Sequence, residues 1–331
     1  MGQETISARL DEFCLLNGEA PKKSEPIQAE GSIRKFTRIY YSTTTYILCE
    51  DPNFDSLPND FLEVSKFLEK YEIAASRFIK YDTSLQAILL SDEGTLDLTS
   101  IKNDDTYYQK LVECMDILLK LQTLRPLEFI RIRKFDFPKL NYEIEFTVEA
   151  FQKFKERFSL LTSVSAEMLE FLEQILRYLS LYENKVVCHR DFHSRNLLLN
   201  KEGKISLIDY QDAMMGTPHY DLVSLLYDAY RPLPLKNRLL CYNYYKEKSS
   251  HRNMRFKEHF YTQALQRSFK ALGFYLFSVS EKGKAKYKES ILNCLDNLEE
   301  IIQLGYFPDS LFVFIHLLRE EIKVSEKFNS F

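Results

Sequence analysis

At 331 residues the chain has room for two domains, or for one domain in two lobes, at about 150 residues apiece. Its 45% hydrophobic and 28% charged residues exclude a disordered chain. A net charge of −4, with 44 Lys and Arg against 48 Asp and Glu, excludes a nucleic-acid partner held by bulk positive charge. In chain order, Phe36–Tyr41 and Thr44–Cys49 are β-branched and aromatic and read as two strands across a short polar turn. Asn59 or Asp60 caps a helix running to Tyr71, whose apolar Phe61, Leu62, Val64, Phe67 and Leu68 follow helical spacing. Phe78–Tyr81 and Gln86–Leu90 predict a second hairpin, and Ser91-Asp-Glu-Gly94 breaks the pattern as a lobe boundary.

Beyond that break most segments repeat apolar residues at three- and four-residue intervals. Helices are expected over 106–122, 140–158, 164–182, 218–230, 234–248, 255–280, 286–304 and 309–323. One β-interlude interrupts them: Lys185–Cys188, Leu197–Leu199, the turn Asn200–Gly203, and Ile205–Ile208. The expected architecture is α+β and bilobal, with a small β-rich lobe over residues 1–91. A large helical lobe over 92–331 carries the β-insert.

Other features narrow the class. No apolar run reaches 18 residues, so no membrane-spanning helix is expected, and the mixed, charged first thirty residues do not read as a secretory signal. The six cysteines stand singly, without CxxC spacing, which predicts free thiols in a reducing cytoplasm and no structural zinc. Only 9 glycines stand against 25 Phe and 21 Tyr, a composition that favours long helices packed on large rings and disfavours a glycine-rich phosphate loop.

The β-insert carries the chemistry. It reads Cys188-His-Arg-Asp-Phe-His-Ser-Arg-Asn196, then Ile208-Asp-Tyr-Gln-Asp212. A strand, an H-x-D-x-x-x-x-N loop and a short hairpin ending in Asp form the catalytic layout of the kinase fold. Phosphoryl transfer needs a carboxylate to orient the attacking hydroxyl and accept its proton, which suits Asp191. It also needs hard oxygens for Mg2+, which Asn196 and Asp209 supply. The four-residue turn is the length that returns Asp209 beside Asn196.

Over these residues the chain resembles the aminoglycoside phosphotransferase/choline kinase superfamily. With Tyr220-Asp-Leu-Val-Ser-Leu-Leu-Tyr-Asp228 added, it is similar to bacterial anomeric kinases of N-acetylmuramate and N-acetylglucosamine, which act in cell-wall recycling. Leu89–Gly94 and Leu265-Gln-Arg-Ser-Phe-Lys-Ala-Leu-Gly273 match more weakly. The resemblance implies ATP and Mg2+ as cofactors and a small-molecule acceptor, with neither nucleic acid nor membrane as partner. It also places adenine against the backbone of Leu90, Ser91, Asp92 and Glu93.

The chain departs from the pattern where the nucleotide is held. Tyr46–Cys49 offers no strand lysine, and Gly31-Ser-Ile-Arg-Lys-Phe36 has one glycine, so the cation's work falls to Arg34, Lys35 or Arg38. Glu63 lies where that lysine's partner would be sought. His189 is expected to brace the loop, and Asp221 to accept hydrogen bonds from the loop backbone. His193 either packs or lines the acceptor site; Arg195 faces the phosphoryl group or makes a surface salt bridge. Asp212 either meets acceptor hydroxyls or caps a turn. The acceptor is expected to be a sugar, the alternatives being an aminoglycoside, choline or another amino alcohol. A catalytically silent kinase-fold binding protein is the third reading.

Overall fold

The computed structural model describes residues 2–28 and 33–331. Two compact units emerge, Met1–Asp97 with Leu197–Asp212, and Leu98–Asn196 with Ala213–Phe331. The boundary therefore falls six residues later than the Ser91 break, and the 197–212 segment groups with the first unit rather than with 92–331.

In the first unit, α1 (Gly2–Phe13) precedes β1 (Lys23–Ile27), β2 (Lys35–Tyr40) and β3 (Thr45–Glu50). Helix α2 (Asp60–Lys70), β4 (Phe78–Asp82), β5 (Ala87–Ser91) and β6 (Leu96–Asp97) follow. The five longer strands form one antiparallel sheet in the order β1-β2-β3-β5-β4. Asn59 caps α2 by accepting from the Phe61 amide, and the helix buries Phe61, Leu62, Val64, Phe67 and Leu68 as its spacing requires. Strand β5, interior between β3 and β4, is buried on both faces, which is why Ala87–Leu90 reads as an uninterrupted apolar run.

The second unit opens with α3 (Asp104–Gln122), α4 (Glu128–Ile132), α5 (Phe137–Phe158) and α6 (Ala166–Ser180). Next comes β7 (Val186–Cys188). Strands β8 (Leu197–Leu199) and β9 (Ile205–Leu207) return to the first unit, where they extend β6 in a small sheet ordered β6-β8-β9. The second unit then resumes with β10 (Met214–Gly216), α7 (Tyr220–Leu226), α8 (Leu235–Lys248) and α9 (Phe256–Ser280). It closes with α10 (Lys288–Gly305), α11 (Asp309–Val324) and α12 (Glu326–Ser330).

The single β-insert expected over 185–209 is in fact two pieces. Strand β7 pairs antiparallel with β10, in the second unit, while the β8–β9 hairpin belongs to the other sheet. A three-residue strand such as β10 shows no alternation, and its partner lies far back in sequence, so local patterning could not announce it. Within the first unit the hairpin is anchored to the five-stranded sheet's side of the fold. Leu207 exchanges backbone hydrogen bonds with Ala74 and Ser76, and the buried Tyr210 ring packs on Phe61 and donates its hydroxyl to the Ser76 carbonyl.

Helix α9 is the axis of the second unit. It runs 25 residues, and every residue from Phe260 to Phe269 is buried, so it is apolar or paired on all sides and packs against α5, α7 and α10. Its approach to α5 depends on Gly273, where an added Cβ would sit 2.4 Å from Thr147 Oγ1 and 2.8 Å from Thr147 Cα. Helix α7 stops at Leu226, short of the expected 230, because the Asp228 carboxylate takes the Tyr230 amide at 2.8 Å and turns the chain. All six cysteines are buried free thiols. No helix among the described residues is long and apolar enough to cross a membrane.

Candidate active site

The H-x-D loop leaves β7 and is fixed by two acidic residues of the α7 region. Asp221, fully buried, accepts the amides of His189 at 2.6 Å and Arg190 at 2.9 Å through its two oxygens. Burial pushes its carboxyl up to about 7 despite those two amides. Asp228 accepts the Ser194 amide at 2.8 Å and the Ser194 hydroxyl as well. Between these anchors Arg190 adopts a left-handed backbone with φ 82°, a conformation costly for any residue but glycine, and the Asp221 hydrogen bonds hold it there.

The loop then closes on itself. The Asp191 carbonyl accepts the His193 amide at 3.0 Å and the Asn196 side-chain amide at 3.0 Å. That second bond turns the Asn196 nitrogen toward the loop and leaves its oxygen as the group a hard cation can meet.

The Asp191 carboxylate faces two cations of α9. Lys270 Nζ lies 3.5 Å and an Arg267 nitrogen 3.7 Å from the same oxygen, and Arg267 also donates to the Ser224 hydroxyl at 2.9 Å. Burial raises the Asp191 carboxyl, but Lys270 and Arg267 more than offset this and hold it well below the usual carboxylate range. Burial and neighbouring Arg267 lower Lys270 in turn, while Asp191 opposes them. Neither cation had been assigned a role from sequence. The signal was the Leu265–Gly273 segment, which also contains the Gly273 that lets α9 approach α5.

His189 is buried and its ring meets Phe192 in a T-shaped contact. His193 packs edge-on against Tyr230, and the Arg195 guanidinium lies 3.9 Å from the centre of that same ring. Arg195 thus stacks on an aromatic face.

In the first unit Asp209 is exposed, stands at φ 62°, and accepts the Gln211 side-chain amide at 2.8 Å. Asp212 is exposed. Two of the nucleotide candidates, Arg38 and Asp92, pair with each other. Arg38 makes a two-pronged ion pair with Asp92 at 2.8 and 3.0 Å and donates to the Gly94 carbonyl at 2.9 Å. Arg34 donates to buried Asp51 at 2.7 Å and lies over the Phe61 ring. Lys35 is exposed. Glu63, where a lysine's partner was sought, instead meets Lys66 at 3.0 Å on the surface of α2.

The 91–94 turn is tightly specified. Glu93 accepts the hydroxyls of Ser91 at 2.5 Å and Ser206 at 2.8 Å, and the Ser91 amide goes to the Arg77 carbonyl at 2.8 Å. Gly94 has φ +107°, and a Cβ there would meet the Leu199 carbonyl oxygen at 2.8 Å. Gly31 and Ser32 of the expected phosphate loop lie outside the described residues.

Among the described residues no group of three or more His, Cys, Asp or Glu side chains is placed to hold a metal by itself. The Asp209 carboxylate in the first unit and the Asn196 amide oxygen in the second are each oxygen donors of the hard kind that magnesium takes.

Known proteins share this plan. The chain is 27% identical over 285 residues to the N-acetylmuramate/N-acetylglucosamine kinase of Neisseria meningitidis serogroup B, covering 82% of this chain and 84% of that one. It superposes on a spectinomycin phosphotransferase bound to ADP and spectinomycin with a TM-score of 0.59 at 14% identity, covering 92% and 98% of the two chains. A choline kinase from Streptococcus pneumoniae gives 0.58 at 14% identity, covering 91% and 98%. These likenesses establish a protein-kinase-like fold. The profile of the phosphotransferase enzyme family matches residues 26–246, two thirds of the chain, and the chain belongs to that family.

Proposed function

We propose that this phosphotransferase is an ATP-dependent kinase of an N-acetylated amino sugar, transferring the γ-phosphoryl group to a hydroxyl, the anomeric one, in cytoplasmic cell-wall recycling. The observation that carries the reading is the Asp191 carboxylate, kept ionised by Lys270 and Arg267 on a loop fixed through Asp221 and Asp228. An ionised carboxylate at that loop position orients the acceptor hydroxyl and takes its proton as the oxygen attacks phosphorus. The Neisseria relative's name supports the sugar as acceptor.

The remaining roles follow from chemistry. Asn196 and Asp209 supply oxygens for Mg2+, which when bound neutralises charge on the nucleotide's phosphates. Arg34 stands in for the absent strand lysine: its pairing with buried Asp51 holds a guanidinium in place, as a lysine–glutamate pair otherwise would. Arg38 and Asp92 set the turn at Gly94. Because Leu90 and the Ser91 amide are used within the sheet, adenine pairs with main chain at Asp92 and Glu93. Residues 1–97 with 197–212 form the nucleotide lobe, and 98–196 with 213–331 the acceptor lobe. Asp212 and His193 contact acceptor hydroxyls.

The test is ADP release with ATP–Mg2+ across N-acetylglucosamine, N-acetylmuramate, choline and kanamycin. Turnover of an N-acetyl sugar supports the reading. Turnover of choline or kanamycin alone replaces it with an amino-alcohol or aminoglycoside kinase. Thermal stabilisation by ATP–Mg2+ without any turnover leaves a silent binding protein.

A further inference from the structure

The two cations beside Asp191 have a consequence for the acceptor itself. To be deprotonated, the reacting hydroxyl must come within about 3 Å of an Asp191 oxygen. Lys270 Nζ is 3.5 Å from one such oxygen, so the reacting hydroxyl lies within about 7 Å of that ammonium, allowing a hydrogen-bond length beyond it. A substituent on the neighbouring carbon of a sugar falls in the same region. Lys270 and Asp191 each keep about a fifth to a quarter of their side-chain surface open (21% and 27%), so both are reachable, while Arg267 at 9% lies behind them.

The negative charges nearby are already engaged. Asp221 faces the His189 and Arg190 amides, and buried Glu143 accepts the Gln266 side-chain amide at 3.0 Å. Arg190 adds positive charge from the loop itself. The cation that an incoming acceptor meets beside Asp191 is therefore Lys270, the more open of the two. A cationic acceptor needs the reverse, a carboxylate-rich or aromatic-caged pocket.

We infer that Lys270, backed by Arg267, selects the acceptor by charge: it admits an N-acylated amino sugar and rejects the same sugar with a free ammonium beside the reacting hydroxyl. This rests on the sugar-kinase reading and names the residues that give it specificity. Discrimination arises from repulsion against the wrong acceptor as well as contact with the right one, because an amide is neutral where an ammonium adds a like charge.

The experiment compares kcat/KM for N-acetylglucosamine and glucosamine by ADP release at about pH 6, where the free amine carries its proton. Wild type, Lys270→Met and Lys270→Arg are measured, with melting curves to confirm folding. The wild type is expected to prefer the N-acetyl sugar by at least about a hundredfold, Lys270→Met to narrow that ratio by about tenfold or more, and Lys270→Arg to retain it. An unchanged ratio in folded Lys270→Met, with the wild type active on N-acetylglucosamine, overturns the charge filter and leaves the sugar kinase standing. Folded Lys270→Met that is inert toward both sugars also overturns it, since Lys270 would then serve the transfer step. A wild type that turns over neither sugar, or prefers the amine, overturns the filter and the sugar reading together.

Discussion

Around Asp191 two cations from one helix converge on a single carboxylate oxygen, whereas in the five-stranded sheet's unit Arg34 and Arg38 each have a carboxylate of their own, Asp51 and Asp92. The pairs in the sheet unit are balanced, one cation to one anion, and the Arg38 pair also fixes backbone through the Gly94 carbonyl of the 91–94 turn. The cluster at the loop sets two cations against one carboxylate, and the work proposed for it is to hold a base ionised and to set the potential an acceptor meets. Balanced pairs give geometry; an unbalanced cluster gives chemistry.

The largest expected effect tests the loop directly. Asp191→Asn keeps the shape and removes the base, so turnover should fall by about a hundredfold or more while nucleotide affinity holds, read from steady-state kinetics beside nucleotide titration. Asp209→Asn should do the opposite first. It should weaken ATP–Mg2+ binding by about tenfold, seen as a smaller ATP–Mg2+ thermal shift than the wild type's. Equal effects of both substitutions on nucleotide affinity, with turnover intact, would dissolve the contrast between acceptor side and metal side.

A stability test reaches the cluster's scaffold. Gly273→Ala drives a methyl into Thr147, including its backbone, and should cost about 1–3 kcal/mol in urea unfolding, with activity lost as α9 shifts. Smaller still is a change in pH response. Asp191 titrates below its ordinary range, so its carboxylate stays ionised as pH falls toward about 4, and the stability its ion pairs supply is lost only as pH drops through that lowered value. Lys270→Met removes the first of the opposing charges. The acid limb of kcat/KM should therefore move to higher pH; a limb that stays put would mean that Lys270 does not govern Asp191.

How far the sequence alone reached follows the range of the interactions. The loop with Asp191 and Asn196 was legible because its spacing is local, and Asp221 was assigned to the loop backbone, where it lies. Asp228 sat in the same motif, yet its hold on Ser194 was not visible, because nothing in its spacing distinguishes that contact from a helix end. Arg267 and Lys270 come from a helix far along the chain, and only the α5–α9 packing permitted by Gly273 fixes where that helix runs. Arg38 and Asp92 were both drawn to the nucleotide, but their mutual pairing depends on the order of strands β2, β3 and β5. The single β-insert failed for the same reason: β7 finds its partner in β10, beyond the hairpin.

The central claim is phosphoryl transfer to an N-acetylated amino sugar with Asp191 as base, and phosphorus NMR of the product tests it most directly. With ATP, Mg2+ and N-acetylglucosamine, the account predicts a new sugar-phosphate resonance coupled to the anomeric proton, absent with the methyl glycoside and reduced about a hundredfold in rate with Asp191→Asn. A phosphate on the methyl glycoside would move the reaction to another hydroxyl. No sugar phosphate at all, or full-rate product from Asp191→Asn, would contradict the account.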